Sequence, residues 1–241
     1  MDKPQNVISI ITPDSVYLSQ RNNVNALSEK REKEPSNQCM IAAYGEWALP
    51  FGHFAKIEKW ISQFNKETIE ETIYKIVQSR VNDLNKPIKE EIERIKLQKP
   101  IPFARIKSLE SQLTNRYYSI HFNWMFNQIL REYNWKMKSE SATIEKIKSI
   151  LDTRQAVICG TNIKEFLPGA SGHIQTFVGY YTDAKGNLLG LISNDPYGDC
   201  ETFYKNQNGE NRYYSIETVK KLLSPCGKGD LRLMIYAEKI K

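Results

Sequence analysis

The chain has 241 residues, of which 40% are hydrophobic and 11% aromatic, and it carries a formal net charge of +6. This length and composition predict one large packed domain or two small ones and exclude wholesale disorder. There is no apolar run of about 18 residues, which excludes a transmembrane helix. The first residues, MDKPQNVISIITPDS, lack the basic, apolar and cleavage segments of a signal peptide. We therefore expect a cytoplasmic protein, or one that acts after lysis or non-classical export.

The net charge is concentrated in one part of the chain. Residues 51 to 150 hold 18 Lys and Arg against 12 Asp and Glu, so this segment alone carries +6 and the remaining 141 residues are neutral. A basic segment favours acidic partners, although lysine-rich, solvated helix faces give the same excess.

The first predicted element after an irregular start is a short helix. Residues 1 to 38 include VYLSQRNN, in which apolar and polar residues alternate, followed by a polar loop. QCMIAAYGEWAL, residues 38 to 49, is small and apolar, with Ser36-Asn37 in front and Pro50 behind. This pattern predicts a short buried helix with a capping residue just before it.

Residues 54 to 150 have a helical period. KETIEETIYKIVQSRVNDL places five apolar residues on one stripe, namely Ile69, Ile73, Ile76, Val77 and Val81. IKEEIERIKLQ repeats the pattern up to Pro100, and NRYYSIHFNWMFNQILREYNWKM has the length of one aromatic-rich helix. ESATIEKIKSILDTR predicts a further helix, capped at Ser139 or Ser141 and ending near Arg154.

The pattern changes to β-structure after residue 155. QAVICG, HIQTFVGYYT, LLGLISN, ETFYKN and LRLMIYAEKI are short and β-rich, and turn sequences such as DAKGN, DPYGD and NQNGEN separate them. SIETVKKLL adds one helix. A helical block followed by a mostly antiparallel sheet predicts an α+β fold.

The four cysteines are predicted to be free thiols. Cys39, Cys159, Cys200 and Cys226 include no C-x-x-C pair and have no neighbouring histidine, so we expect no zinc site. We also expect no cofactor. Cys39 differs from the others because it begins a predicted helix, where the dipole and free N–H groups stabilise a thiolate. The alternative is an inert cysteine buried beside Met40, Ile41 and Ala42.

His173 and Asp195 stand at matching ends of two predicted strands. GHIQTFVGYY starts with His173, and LLGLISN runs out into Asn194 and Asp195. The hairpin TDAKGN would place the start of the first strand beside the end of the second. Asp195 or Asn194 is then positioned to accept from the imidazole Nδ1–H and fix its tautomer. The alternatives are a core histidine and ordinary turn chemistry.

Gln20, in YLSQRNN, is a candidate oxyanion donor. A glutamine upstream of a nucleophilic cysteine can donate its amide, together with the cysteine N–H, to the developing oxyanion. Gln38, immediately before Cys39, is the competing residue.

These segments together resemble the papain-like cysteine peptidases, and within them the branch related to the double-glycine leader peptidases that process bacteriocins. The resemblance is carried, in order, by YLSQRNN, SNQCMIAA, GHIQTFVGYYTDAKG and LISNDPYGD. It covers roughly residues 15 to 50 and 155 to 240. Met-Ile-Ala-Ala replaces the Gly or Asn and Thr-Ser pair that usually follow the cysteine in that branch.

The resemblance implies a papain-like fold and a catalytic set. Cys39 would be the nucleophile, His173 the general base, Asp195 the orienting residue and Gln20 the oxyanion donor, with a structural role for Asn23. Residues 1–50 and 151–241 would form the catalytic core, and residues 51–150 a helical insertion. The substrate would be a peptide, a protein or a peptidoglycan stem.

Two other functions fit parts of the sequence. One is a catalytically inactive papain-like module that binds proteins through its helices, which the residues after Cys39 favour. The other is nucleic-acid binding by Trp124, Trp135, Tyr117, Tyr118 and Tyr133 interleaved with Arg131 and Lys136. At helical spacing such aromatics favour packing, so we expect no nucleic-acid partner. His53 and His121 are expected to be structural.

Overall fold

The computed structural model describes residues 3–20, 38–64, 69–114, 119–170, 172–227 and 232–241. Within these ranges it is an α+β protein with seven helices and one seven-stranded sheet. The helices are α1 Gln38–Ala55, α2 Glu58–Gln63, α3 Ile69–Lys96, α4 Phe103–Glu110, α5 Ser119–Leu130, α6 Ile144–Leu151 and α7 Ile216–Leu222. The strands are β1 Ile8–Ile11, β2 Trp135–Ser141, β3 Val157–Thr161, β4 His173–Thr182, β5 Leu188–Asn194, β6 Arg212–Ser215 and β7 Leu233–Lys239.

The sheet is antiparallel throughout, in the order β2-β7-β3-β4-β5-β6. One edge of β4 is shared: β3 pairs with residues 173 to 177 and β1 with residues 179 to 182. Its other edge pairs with β5. The predicted α+β class is confirmed, and the start of β4 lies next to the end of β5.

Helix α1 is buried almost along its whole length, as its predominantly apolar sequence predicts. The sequence predicted that this helix ends before Pro50, but the helix continues to Ala55. Proline removes one backbone hydrogen bond, and the buried rings of Trp47 and Phe51, stacked 4.7 Å apart, hold the two halves of the helix in the core.

The stripe of α3 is buried as predicted at Ile69, Ile73, Val77 and Val81. Ile76 is 36% exposed, because it lies at the margin of the stripe.

The segment from 51 to 150 is not purely helical. The helix predicted through NWKM ends at Leu130, and Trp135–Ser141 forms β2, which pairs with β7 about a hundred residues later. The predicted boundaries at residues 50 and 150 fall inside α1 and α6.

The prediction of a strand at ETFYKN is also wrong. Cys200–Thr202 forms a 3₁₀ helix whose start is capped by Asp199, which accepts from the Glu201 N–H. Phe203 and Tyr204 then take positive φ angles of 54° and 58°, which a strand does not permit. The strand β6 begins only at Arg212.

Candidate active site

His173 and Asp195 are brought together by the β4–β5 hairpin. Within the turn, the Asp183 carboxylate accepts the backbone N–H groups of Lys185 and Asn187, each at 2.8 Å. The antiparallel pairing then places the start of β4 beside the residue that follows β5. The His173 Nε2 lies 2.6 Å from Asp195 Oδ1, and the two side chains are only 5% and 0% exposed. The nitrogen in contact is thus Nε2, not the predicted Nδ1.

Three donors hold the Asp195 carboxylate. Oδ1 accepts from His173 and from the Tyr197 backbone N–H at 2.9 Å, and Oδ2 accepts from the Tyr204 hydroxyl at 3.3 Å. Buried polar atoms need such hydrogen-bond partners in place of water. Both oxygens are therefore fixed with one of them directed at the imidazole.

Asn194, the other predicted partner for the imidazole, points elsewhere. Its side-chain amide donates to the Val16 carbonyl at 2.7 Å, and its oxygen accepts from the Asn211 N–H at 2.9 Å. Asn194 therefore connects the N-terminal segment to the β5–β6 loop, which leaves Asp195 as the histidine's partner.

The Cys39 side chain contacts the same histidine from helix α1. It lies in the first turn of α1 and is 8% exposed. The Thr176 hydroxyl donates to the Ala43 carbonyl at 3.1 Å, which fixes this end of α1 on β4. The Cys39 side chain hydrogen-bonds to the imidazole. Because Nε2 is occupied by Asp195, Nδ1 is the nitrogen left for the sulfur.

The pKa of His173 is set by opposing effects. Burial alone would lower it, because a charged ring is disfavoured away from water. The Asp195 carboxylate and the Cys39 side chain outweigh burial and raise the pKa from 6.5 to about 10. The ring is therefore an imidazolium at neutral pH, held between a carboxylate and a sulfur.

Two tyrosine rings stand against the imidazole. The centroids of Tyr197 and Tyr204 are each 6.3 Å from that of His173, and the two rings meet edge to face at 4.9 Å. Tyr204 is buried, and burial raises the pKa of its hydroxyl, so the group remains a donor. These rings restrict the imidazole to the orientation that joins Asp195 to Cys39.

Gln20 lies next to this group. It is 6% exposed, and its backbone N–H donates to the Pro196 carbonyl at 3.0 Å, one residue after Asp195. Gln38, the first residue of α1, is 4% exposed. Both remain candidate oxyanion donors, whereas Asn23 lies outside the described residues.

The segment 16–20 is also anchored to α1. The Leu18 N–H donates to Glu46 Oε1 at 3.1 Å, and both residues are buried. Gly45 permits this close approach, because a Cβ there would lie 2.5 Å from Leu18 Cδ1. Sequence reasoning missed Glu46 and Tyr204, although a lone glutamate within the apolar run AAYGEWALPF was an available signal for the first.

The residues that follow Cys39 belong to the core. Ile41, Ala42 and Ala43 are at most 2% exposed, and Met40 is half-buried against the same cluster. The Met-Ile-Ala-Ala sequence therefore completes the packing of α1.

The other cysteines and histidines lie in different environments. Cys159 and Cys200 are fully buried, and burial raises the pKa of both thiols, while Cys226 is partly exposed. His121 is buried, which lowers its pKa, and His53 is exposed in the last turn of α1. Among the described residues, no three His, Cys, Asp or Glu side chains are grouped to hold a metal ion.

The aromatic residues considered for nucleic-acid binding lie in different environments. Arg80 stacks on Trp124, with 4.6 Å between the guanidinium carbon and the ring centroid. Trp135 packs against the rings of Phe51 and Phe54. Tyr117 and Tyr118 lie outside the described residues.

No protein-family model matches this chain, and a comparison with curated proteins found no significant match. Within the described ranges, none of the helices combines the length and apolar composition needed to cross a bilayer.

Proposed function

We propose that this protein is a cysteine peptidase or amidase with a papain-like fold. The observation that carries the proposal is the continuous contact from the Cys39 side chain through the His173 imidazole to the Asp195 carboxylate. A cysteine at a helix start, a protonated histidine and an orienting carboxylate are the components of an activated thiol nucleophile. Peptide, protein and peptidoglycan-stem amides are the proposed substrates.

The chemistry follows from the positions of these groups. His173 holds the proton of the pair, so Cys39 reacts as a thiolate and its sulfur attacks the carbonyl carbon. Asp195 keeps the imidazole in place through Nε2, which leaves the Nδ1 proton for the leaving amine. The C–N bond breaks as the amine takes this proton, and a thioester remains on Cys39. Water, deprotonated by the now neutral imidazole, hydrolyses the thioester and restores the pair.

The oxyanion formed during attack needs donors. The backbone N–H of Cys39 and the side-chain amide of Gln20 are the proposed pair, with Gln38 as the alternative to Gln20. Loss of one such donor typically costs about 10²–10³ in rate. Gln20→Ala and Gln38→Ala would separate the two, since only the true donor should lower turnover by about that factor.

Selective alkylation tests the nucleophile. The native protein is treated with limiting iodoacetamide near pH 6, and modified cysteines are mapped by mass spectrometry. We expect Cys39 to react faster than the more exposed Cys226, which acts as the internal reference. The preference should disappear in His173→Ala, which lacks the imidazole that takes up the thiol proton, and should be weaker in Asp195→Asn, which lacks the carboxylate that favours the charged imidazole.

Equal labelling of Cys39 and Cys226 in the folded wild-type protein would refute an activated thiol. Casein and purified peptidoglycan are suitable first substrates, with Cys39→Ala as the inactive control. Circular dichroism of each variant separates loss of reactivity from loss of fold.

A second function, a non-catalytic binding module, is supported by the helices between residues 69 and 110. Part of this region packs away from the main core and exposes apolar side chains. Absence of preferential Cys39 alkylation would favour this function over the peptidase.

A further inference from the structure

The helices α3 and α4 form a hairpin that extends beyond the main core. α3 has 28 residues and is therefore about 42 Å long. Its first turns pack in the main core through Ile69, Ile73 and Val77. Its last turns pack only within a separate small cluster, where Ile92 and Ile95 meet Ile106 of α4.

The end of this hairpin exposes large apolar side chains. Leu97 is 84% exposed, Phe103 72% and Ile101 39%, and all three lie within seven consecutive residues. We call residues 97–103 the tip. Beside it is a groove of about 670 Å³ lined by Lys96, Ile101, Phe103, Ile106, Lys107 and Glu110. Such exposure is uncommon on a solvated surface unless something covers it.

Cationic residues predominate in the sequence around the tip. Residues 94 to 107 contain five cations and no acid, namely Arg94, Lys96, Lys99, Arg105 and Lys107. Arg94 and Arg105 both pair with Glu91, and Lys96 pairs with Glu93. Lys99 and Lys107 are exposed, and neither has an ion-pair partner in the part of the chain that the structure describes. The tip therefore presents apolar side chains beside two exposed lysines, Lys99 and Lys107, for which no ion pair is seen among the described residues.

We propose that this tip docks on the surface of an anionic phospholipid bilayer. Leu97 and Phe103 would enter the boundary between headgroups and acyl chains, and the lysines would remain among the lipid phosphates. A stable protein partner needs an interface of about 1,200 Å² or more, which three side chains on a narrow hairpin end do not supply. A headgroup layer accepts an isolated wedge of this kind and attracts adjacent lysines.

Vesicle sedimentation with the full chain tests the proposal. The vesicles are phosphatidylcholine alone, or phosphatidylcholine with about one-third phosphatidylglycerol. We expect binding to the anionic vesicles, little to the neutral ones, and weakening as salt is raised. Leu97→Ser/Phe103→Ser should reduce partitioning at least about tenfold. Lys99→Glu/Lys107→Glu should do the same, since each lysine near an anionic surface contributes about fivefold.

Matched controls distinguish the tip from general surface properties. Ile120→Ser removes an apolar side chain that is 69% exposed on α5, and Lys185→Glu removes an exposed lysine in the β4–β5 turn. Both should bind like wild type. Cys39→Ala should also bind like wild type, so that failure of the peptidase proposal and failure of this one are separate results.

Three outcomes would overturn the proposal. The first is equal or absent binding to the two vesicle types. The second is wild-type binding by both tip variants. The third is a dimer in light scattering that Leu97→Ser/Phe103→Ser dissociates, because a second copy would then cover the tip.

Discussion

Glu46 is a buried carboxyl group whose ionisation should control how stability depends on pH. It lies in the middle of α1 with no exposed surface, and its Oε1 accepts from the Leu18 N–H. Burial raises its pKa well above the usual 4.5, and this outweighs the opposing effect of the hydrogen bond from the Leu18 N–H. The nearby Asp195 carboxylate raises it further. Glu46 is therefore expected to be protonated in the folded protein where an ordinary glutamate is ionised.

The sign of the pH effect follows from this raised pKa. A carboxyl with a raised folded pKa stabilises the protein fully below about pH 4.5, the value in the unfolded chain. That contribution is lost as the pH rises towards the folded pKa, by up to about 1.4 kcal/mol for each pH unit. Glu46→Gln keeps the shape and the acceptor for Leu18 but has no proton to take up. The unfolding free energy of Glu46→Gln should therefore rise relative to that of the wild type, by up to about 1.4 kcal/mol for each pH unit above pH 4.5.

Urea denaturation followed by circular dichroism at pH 5, 6, 7 and 8 measures this difference. The raised pKa of His173 gives both proteins a further loss of stability between about pH 6.5 and 10, and this loss cancels in the comparison. Glu46→Ala is the contrasting variant: it also lacks the titrating carboxyl but removes the acceptor for Leu18, so it should be less stable than Glu46→Gln at every pH and loosen the segment that holds Gln20. If the unfolding free energies of Glu46→Gln and the wild type differ by the same amount at all four pH values, the claim that Glu46 is protonated in the folded protein is refuted.

Two further variants test the surroundings of Asp195. Tyr204→Phe removes the hydroxyl donor to Oδ2 and should cost about 1–3 kcal/mol of unfolding free energy at pH 7, whereas Tyr133→Phe, at a ring 36% exposed, should cost nothing measurable. A loss equal in both variants would contradict the role of that hydrogen bond. Gly209→Ala would press a Cβ against the Asp195 carbonyl oxygen and should destabilise by about 1–3 kcal/mol, as measured in urea. Gly227→Ala is the control, because nothing lies within 4 Å of the new Cβ. If Gly209→Ala is as stable as Gly227→Ala, the backbone around Gly209 moves to accommodate a Cβ and the prediction is wrong.

The residues of the candidate site could be predicted where local signals set their positions. The turn between β4 and β5 predicts an antiparallel hairpin, so the end of β5 with Asp195 could be placed beside the start of β4 with His173 from sequence alone, although the pairing shifts register twice along the strands. Cys39 could be placed because an apolar run follows it in the sequence, whereas the predicted capping residues Ser36 and Asn37 lie outside the described residues. The nitrogen that His173 directs at Asp195 could not be predicted, because it depends on how the helix and hairpin are packed.

The features that could not be predicted from the sequence depend on contacts between distant parts of the chain. The strand β2 is recognisable only through its partner β7, and its charged, aromatic sequence is equally compatible with a helix. Pro50 is a valid signal for a helix end, but the packing of α1 in the core overrides it. Tyr204 gave no signal, since its hydroxyl reaches Asp195 through a left-handed backbone turn that its residue type does not favour.

The shared position of Gln20, Cys39 and His173 has a consequence for the order of folding. Cys39 precedes His173 by 134 residues, and the Gln20 N–H bonds to Pro196, 176 residues later. Contacts between such distant segments form late, because the loops that they close are long. Under the proposed function, a partly synthesised chain that ends before β4 contains the proposed nucleophile, Cys39, but lacks the proposed base, His173. The proposal therefore implies that the thiol of an unfinished chain is not activated until β4 has been made.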